Sequence, residues 1–323
     1  MTEPFATGLL LTAMGVLLVA AAFASRLSTR LGVPAVIVFL GLGMLAGSEG
    51  IGGIPFDDYD LAFRLGSIAL VLILFDGGLN TPSGVFRRAA RRGSLLASVA
   101  VVLTAVLVAG TSWLLGLSPA TACLVGAVVS STDAAAVFFA LRTSGMRLQQ
   151  STAATLEVES GLNDPMAMFL TIAATEAVLG ESSTVAEFVR SFAIQLGGGL
   201  AVGWSLGRAA RLAFKVVQLP AAGLYPVVTL AFACLSFGGA TLVGGSGFLA
   251  VYLTAIGIGG GLLPYRSGVR RVHDALASLS QLVMFLMLGL LVFPSRLAPA
   301  AGQGLAIALA LAFLARPAAV LAT

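Results

Sequence analysis

The sequence predicts an all-α polytopic membrane protein, and three observations carry that prediction. Of 323 residues, 58% are hydrophobic and only 10% charged, with a mean hydropathy of +1.02. A soluble domain carries about a quarter charged residues. The apolar residues come in runs of roughly 18 to 25, the length a helix needs to cross about 30 Å of hydrocarbon. Third, the basic residues fall on alternate connections between these runs.

Eleven apolar segments follow one another, approximately 5–24, 33–47, 61–80, 94–116, 119–141, 149–179, 186–207, 221–239, 247–263, 273–293 and 299–323. The first has neither a basic n-region nor a small-residue cleavage site before a soluble domain, so it reads as a permanent span. Arg26 and Arg30 lead to the second segment, and the acids Glu49, Asp57, Asp58 and Asp60 separate it from the third. The third ends in "LFDGGLN" and is followed by Arg87, Arg88, Arg91 and Arg92. Arg142 and Arg147 join the fifth segment to the sixth, and Glu181 and Glu187 join the sixth to the seventh. Arg208, Arg211 and Lys215 precede the eighth segment, and Arg266, Arg270 and Arg271 precede the tenth. Only Arg64, Arg190 and Arg296 stand near the acidic connections. By the positive-inside rule the basic loops are cytoplasmic and the N-terminus is outside. The last stretch, "LAIALALAFLARPAAVLAT", stops within an apolar run, the pattern of a piece of a longer protein.

Several function classes drop out on composition. Cys123 and Cys234 each sit in an apolar segment, so no disulfide framework is implied and both read as small core residues. The pI near 9.6 could suggest a nucleic-acid partner, but the arginines sort by loop and form no basic domain. No H-E-x-x-H is present, and one histidine cannot build a typical metalloprotease site. "GGSG", Gly244 to Gly247, matches the G-x-S-G around the nucleophile of intramembrane serine proteases, which need a nearby base. The single His273, in "RRVHD", is placed at the cytoplasmic face and Ser246 on the outer side. That geometry argues against a dyad, and no enzyme is predicted.

Acids at bilayer depth are the informative anomaly. "TLEVESGLNDPMAMFLTI" carries Glu157, Glu159 and Asp164 within eight residues, and the fifth segment carries Asp133. At 1.5 Å per residue Asp164 lies about 20 Å into the sixth segment. Each such group costs roughly 2.5–3.5 kcal/mol on insertion scales and so faces a cavity or a partner. Glu157, Ser160, Gly161 and Asp164 follow an i, i+3, i+4, i+7 pattern and share one helix face, while Glu159 and Asn163 pair at i, i+4 beside it. Pro165 removes a backbone donor and crowds the Gly161 carbonyl, which predicts a kink or unwinding beside Asp164. Ser130, Ser131 and Thr132 add hydroxyls before Asp133 and a second candidate break. Carboxylate, hydroxyl and carbonyl oxygens at one depth suit a hard monovalent cation. Arg316 is the deep basic residue available to pair a buried acid. Glu157 and Asp76 read as entrance groups or as helix-end and solvated acids.

At "VVSSTDAAAV" and "ESGLNDP" the sequence resembles the cation–proton antiporter superfamily, and within it the NhaP-type electroneutral branch with its Asn–Asp motif, here Asn163–Asp164. "LFDGGLN" and "SSTDAAAVF" resemble the cell-volume-regulation subgroup, potassium/proton antiporters with cytosolic regulatory domains. The resemblance covers essentially the whole chain. It implies an NhaA-like antiporter fold with inverted repeats and broken helices, present here as one transmembrane domain, residues 1–323. About thirteen helices are usual in the family, so a second broken helix and any regulatory domain are expected beyond Thr323.

Carried over by residue, Asp164 is the shared cation and proton carboxylate. Ser160, Glu159 and the hydroxyl or backbone of Thr132 line the monovalent-cation site with it. Asn163 holds the shape of the site, Asp133 acts behind it, and Arg316 balances buried charge, with Glu159 as its suggested partner. Ala134 stands where many relatives have proline, which weakens the expectation of a break there. The resemblance also implies a homodimer in the inner membrane, surrounded by lipid, with no cofactor beyond the transported K+ or Na+ and H+.

A buried aspartate can hold a proton or a cation but not both. Competition for Asp164, with a helix bundle rocking to expose it alternately, then couples the two gradients. Asn163 is neutral and the single lysine, Lys215, lies in a loop, so the exchange is expected to be electroneutral. A cation channel or ion sensor built on the same polar centre is the rival reading. Carboxylate and hydroxyl ligands do not separate sodium, lithium and potassium, and potassium is favoured by the subgroup alone.

Overall fold

The computed structural model describes residues 3–81, 83–133, 148–180 and 184–323, together with Val137. Among these residues the chain is helical, and no strand is present. The helices are α1 (Glu3–Leu31), α2 (Ala35–Ala46), α3 (Tyr59–Asn80) and α4 (Ser83–Leu95), the last continuing through a π turn (Leu96–Ala100) into α5 (Val101–Leu114). Next come α6 (Pro119–Val128), α7 (Gln150–Val178), α8 (Val185–Val216), α9 (Leu224–Leu242), α10 (Gly247–Gly259) and α11 (Arg266–Leu290). Finally α12 (Pro294–Ala310) runs through a second π turn (Leu311–Ala315) into α13 (Arg316–Leu321).

With each π-joined pair taken as one rod, every predicted apolar segment has its helix. Tyr59–Asn80, Arg88–Leu114, Leu224–Leu242, Arg266–Leu290 and Pro294–Leu321 are long and apolar enough to cross a membrane by length and composition. The fifth segment is described through Asp133, helical over α6, and again at Val137; Ala134, Arg142, Arg147 and Glu181 lie outside the described residues.

Local chemistry sets the helix starts. Ser118 caps α6, accepting from the Thr121 amide at 3.2 Å, with Pro119 at the first helical position. Thr184 and Glu187 form a capping box on α8. Ser246 caps α10, accepting from the Leu249 amide at 3.3 Å. The serine of the G-x-S-G match is therefore a helix cap.

The chain divides into two compact units. One draws on Met1–Ile73 and Ala275–Pro299. Its core joins Ala21 of α1, Phe39 of α2 and Leu286 of α11. Gly43 and Gly289 let α2 and α11 approach closely, since a Cβ on Gly43 would stand 2.8 Å from the Gly289 Cα. In the same unit Glu49 accepts from the Ser295 amide at 2.8 Å and from its hydroxyl at 2.6 Å, closing the N-terminal end of α12. These bonds favour the ionised carboxylate and hold Glu49 below its usual range.

The other unit draws on Leu74–Ala134, Leu148–Asp274 and Ala300–Thr323 and contains every candidate site residue. Here α8 packs along α10, and α7 packs on α4 and α6. Two expectations change. His273 is fully buried, its Nε2 2.8 Å from the Thr229 hydroxyl and its ring 4.9 Å from that of Phe75. One hydroxyl partner and an aromatic neighbour let the neutral ring sit inside the bundle, where the basic "RRVHD" context had suggested a surface position. Cys123 and Cys234 are exposed. Lipid tails are as apolar as a protein core, so a thiol is accommodated on either side of a spanning helix.

Candidate functional site

The site forms where α6 ends. Val128 closes the helix, and the Ser130 hydroxyl folds back onto the Ala127 carbonyl at 2.7 Å, satisfying one of the acceptors left at a helix C-terminus. Ser131, Thr132 and Asp133 then run as non-helical backbone. Serine, threonine and aspartate side chains bond to nearby backbone groups in competition with helix, which accounts for a break at this run.

This stretch passes α7. In α7 the expected interruption at Pro165 is not found, and the helix continues from Gln150 to Val178 with Pro165 inside it. Proline removes a single backbone bond, and packing against neighbouring helices compensates for it. The irregular backbone at the site therefore comes from the fifth segment alone among the described residues.

Two clusters result, one on each of the adjacent α7 faces. In the first, the Ser131 hydroxyl donates to Asp164 Oδ1 at 2.6 Å, the length of a charge-assisted O–H···O⁻ bond. In the second, Glu159 is 2% exposed and Asn163 fully buried. The Asn163 amide donates to Glu159 Oε1 at 3.1 Å, to Thr132 Oγ1 at 2.9 Å and to the Thr132 carbonyl at 3.1 Å. Arg316, from the first turn of α13, donates to Glu159 Oε1 at 2.5 Å and to Thr132 Oγ1 at 3.1 Å.

The Thr132 hydroxyl is the hub of the second cluster. It donates towards Glu159 Oε1 and Oε2 at 2.9 and 3.1 Å. A hydroxyl has one proton and two lone pairs. With Asn163 and Arg316 as donors and Glu159 as acceptor, all three are engaged. Arg316–Glu159 is the salt bridge found among the described residues. Asn163 Oδ1 and Arg316 Nη1 are buried without a hydrogen-bond partner there.

The other candidate residues are placed differently. Asp133 is exposed and Ser160 half-buried. Asp133 and Glu159 both act electrostatically on Asp164, so the three carboxylates share one locality. Glu157 is exposed on α7, its backbone carbonyl accepting from Tyr252 at 3.4 Å. Asp76 sits at the end of α3, accepts from Asn80 at 3.0 Å and has Asp274 and Arg270 as charged neighbours. No hydrogen bond given for Asp76 leads to Asp164.

Packing fixes α7 against α10. Gly161 lies under the Tyr252 ring so closely that a Cβ would overlap it. The sequence reading treated Ser131 only as one hydroxyl among three and missed Tyr252. The sequence does not separate the two hydroxyls, whose carboxylate partners on α7 are Asp164 for Ser131 and Glu159 for Thr132.

The fold and the site define an all-helical bundle with membrane-length apolar helices, one helix of which ends at an acid-rich centre. The likeness to solved structures sharpens this. The structure of the sodium proton antiporter MjNhaP1 from Methanocaldococcus jannaschii at pH 8 matches with a TM-score of 0.79 and 24% identity, covering 96% of this chain and 76% of that one. This is the fold of an antiporter. Residues 15–323 match the family described as sodium/hydrogen exchanger, transmembrane, and the chain belongs to that family. The K(+)/H(+) antiporter NhaP of Alkalimonas amylolytica is 44% identical over 323 residues, 98% of this chain and 55% of that protein. The K(+)/H(+) antiporter NhaP2 of Shewanella sp. (strain ANA-3) is 40% identical over 325 residues, 98% of this chain and 54% of that protein. The chain thus spans about half the length of the curated relatives it matches.

Proposed function

We propose that the chain is the ion-translocating part of an electroneutral monovalent cation/proton antiporter in which a cation and a proton compete for Asp164. The single observation carrying this reading is the contrast between the two α7 acids at the break. Glu159 is neutralised by Arg316. Asp164 has the neutral Ser131 hydroxyl as its hydrogen-bond partner. Of these two α7 acids Asp164 is the one available to exchange H+ for M+, and a turnover at that carboxylate moves one charge each way. Alternating access follows from rocking of the helix bundle about the site.

K+ is the favoured cargo, because relatives at 44% and 40% identity are named K(+)/H(+) antiporters. A Methanocaldococcus jannaschii relative at 24% is named a probable Na(+)/H(+) antiporter, which keeps Na+ in the comparison. The proposal further places the N-terminus outside the inner membrane, by the positive-inside rule, and the functional unit as a homodimer.

The test uses proteoliposomes with a trapped pH dye, an acidic lumen, added K+ or Na+, and a potential clamp. Proton release driven by either cation and indifferent to voltage is the expected result. Ion flux at fixed pH without proton movement would mark a channel and sink the proposal.

A further inference from the structure

We infer that Ser131, and not the Thr132 hydroxyl, is the side-chain hydroxyl that serves the exchanged cation. The inference rests on the proposed role of Asp164 and adds a ligand to that site. Its basis is donor and acceptor accounting at two adjacent hydroxyls.

Thr132 has nothing left to offer. Its proton lies towards Glu159, and its two lone pairs accept from Asn163 at 2.9 Å and Arg316 at 3.1 Å. Coordinating a cation through this oxygen would require displacing a buried guanidinium or amide, with a new positive charge placed beside Arg316. Glu159 Oε1 is likewise filled by three donors. The cluster is a closed, charge-compensated support.

Ser131 is the opposite case. Among the described residues its hydrogen bond runs to Asp164 Oδ1 at 2.6 Å, which uses the proton and leaves the lone pairs to other partners. Ser131 is half-buried on non-helical backbone, with its hydroxyl on Asp164 where that of Thr132 is on Glu159. A cation bound to the Asp164 carboxylate stands beside that hydroxyl oxygen, and the pair form one oxygen edge of its shell.

The test is exchange by the full chain in proteoliposomes, measured over cation concentration and pH for Ser131→Ala, Ser131→Thr, Thr132→Val and Asp164→Asn. Losing a bond to a charged group corresponds to roughly tenfold. Ser131→Ala is expected to raise the half-saturating cation concentration at fixed pH about tenfold. Ser131→Thr, which keeps the hydroxyl, restores it. Thr132→Val is expected to lower the melting temperature, with a smaller effect on half-saturation per folded protein. The reverse ranking overturns the inference, as does a Ser131→Ala variant that loses maximal rate while its half-saturation stays in place. Exchange that survives Asp164→Asn would instead remove the underlying role of Asp164, and so separates the two failures.

Discussion

Arg316 and Glu159 lie 157 positions apart in sequence and meet at 2.5 Å beside the broken end of α6. Glu159 is 2% exposed and Arg316 21%. Removing one partner of such a pair leaves a buried, uncompensated charge, which costs far more than the pair contributes. Arg316→Gln is expected to destabilise the protein by about 3–5 kcal/mol. Adding Glu159→Gln should recover a large part of that loss. A thermal melt of the two single variants and the double variant measures the coupling, and strict additivity would contradict the pairing.

Asp164→Asn keeps the size of the side chain and one hydrogen bond to Ser131 while removing the exchangeable charge. The variant is expected to melt within a few degrees of the parent and to show no cation-driven proton movement. Asp133→Asn, which removes a neighbouring negative charge, is expected to reduce exchange strongly. A fully active Asp133→Asn protein would leave that residue outside the mechanism.

Gly161 admits the Tyr252 ring against α7. Gly161→Ala forces the ring or the helix to shift, at roughly 1–3 kcal/mol for overpacking. Tyr252→Ala in the same chain should relieve the overlap, so the double variant is expected to be more stable than the two separate losses would sum to. Equal melting of Gly161→Ala and parent would contradict the close contact with the Tyr252 ring.

Glu49 supplies a pH prediction. Its ionised carboxylate is held by the Ser295 hydroxyl and amide, below the ordinary value of 4.5. A depressed folded-state value contributes stability that is present above the unfolded value and lost as pH falls through the folded one. The melting difference between parent and Glu49→Gln should therefore be present at pH 7 and be lost in acid as pH falls below 4.5 through the folded value. A difference that grows on acidification would reverse the sign and refute the assignment.

How far the residues foretold this arrangement differs from element to element. The spans were legible because burial in lipid demands long apolar runs, and each run has its helix, although α11 starts at Arg266, seven residues before the tenth apolar run begins. The Glu159–Asn163 pair was legible because four residues on a helix bring side chains together. Of the two candidate breaks, the run from Ser130 is non-helical after α6, while Pro165 leaves α7 wound, because a single lost backbone bond is a weaker force than successive residues competing for backbone partners. The burial of His273 was hidden, since its Thr229 partner is 44 positions away. The split between Ser131 and Thr132 was hidden because a hydroxyl's commitments become countable only once its neighbours have positions.

The closed hub around Thr132 has a consequence for how this protein can change over generations. Four side chains from two helices and a loop meet at one oxygen, so each is tuned to the other three. A substitution at any one of Thr132, Glu159, Asn163 or Arg316 meets a background fitted to the old residue, and its cost depends on what the remaining three have become. The quartet should therefore drift as a block, with tolerated variants arising in combinations, while Ser131, tied to Asp164 alone, stays open to single-step adjustment of ion preference.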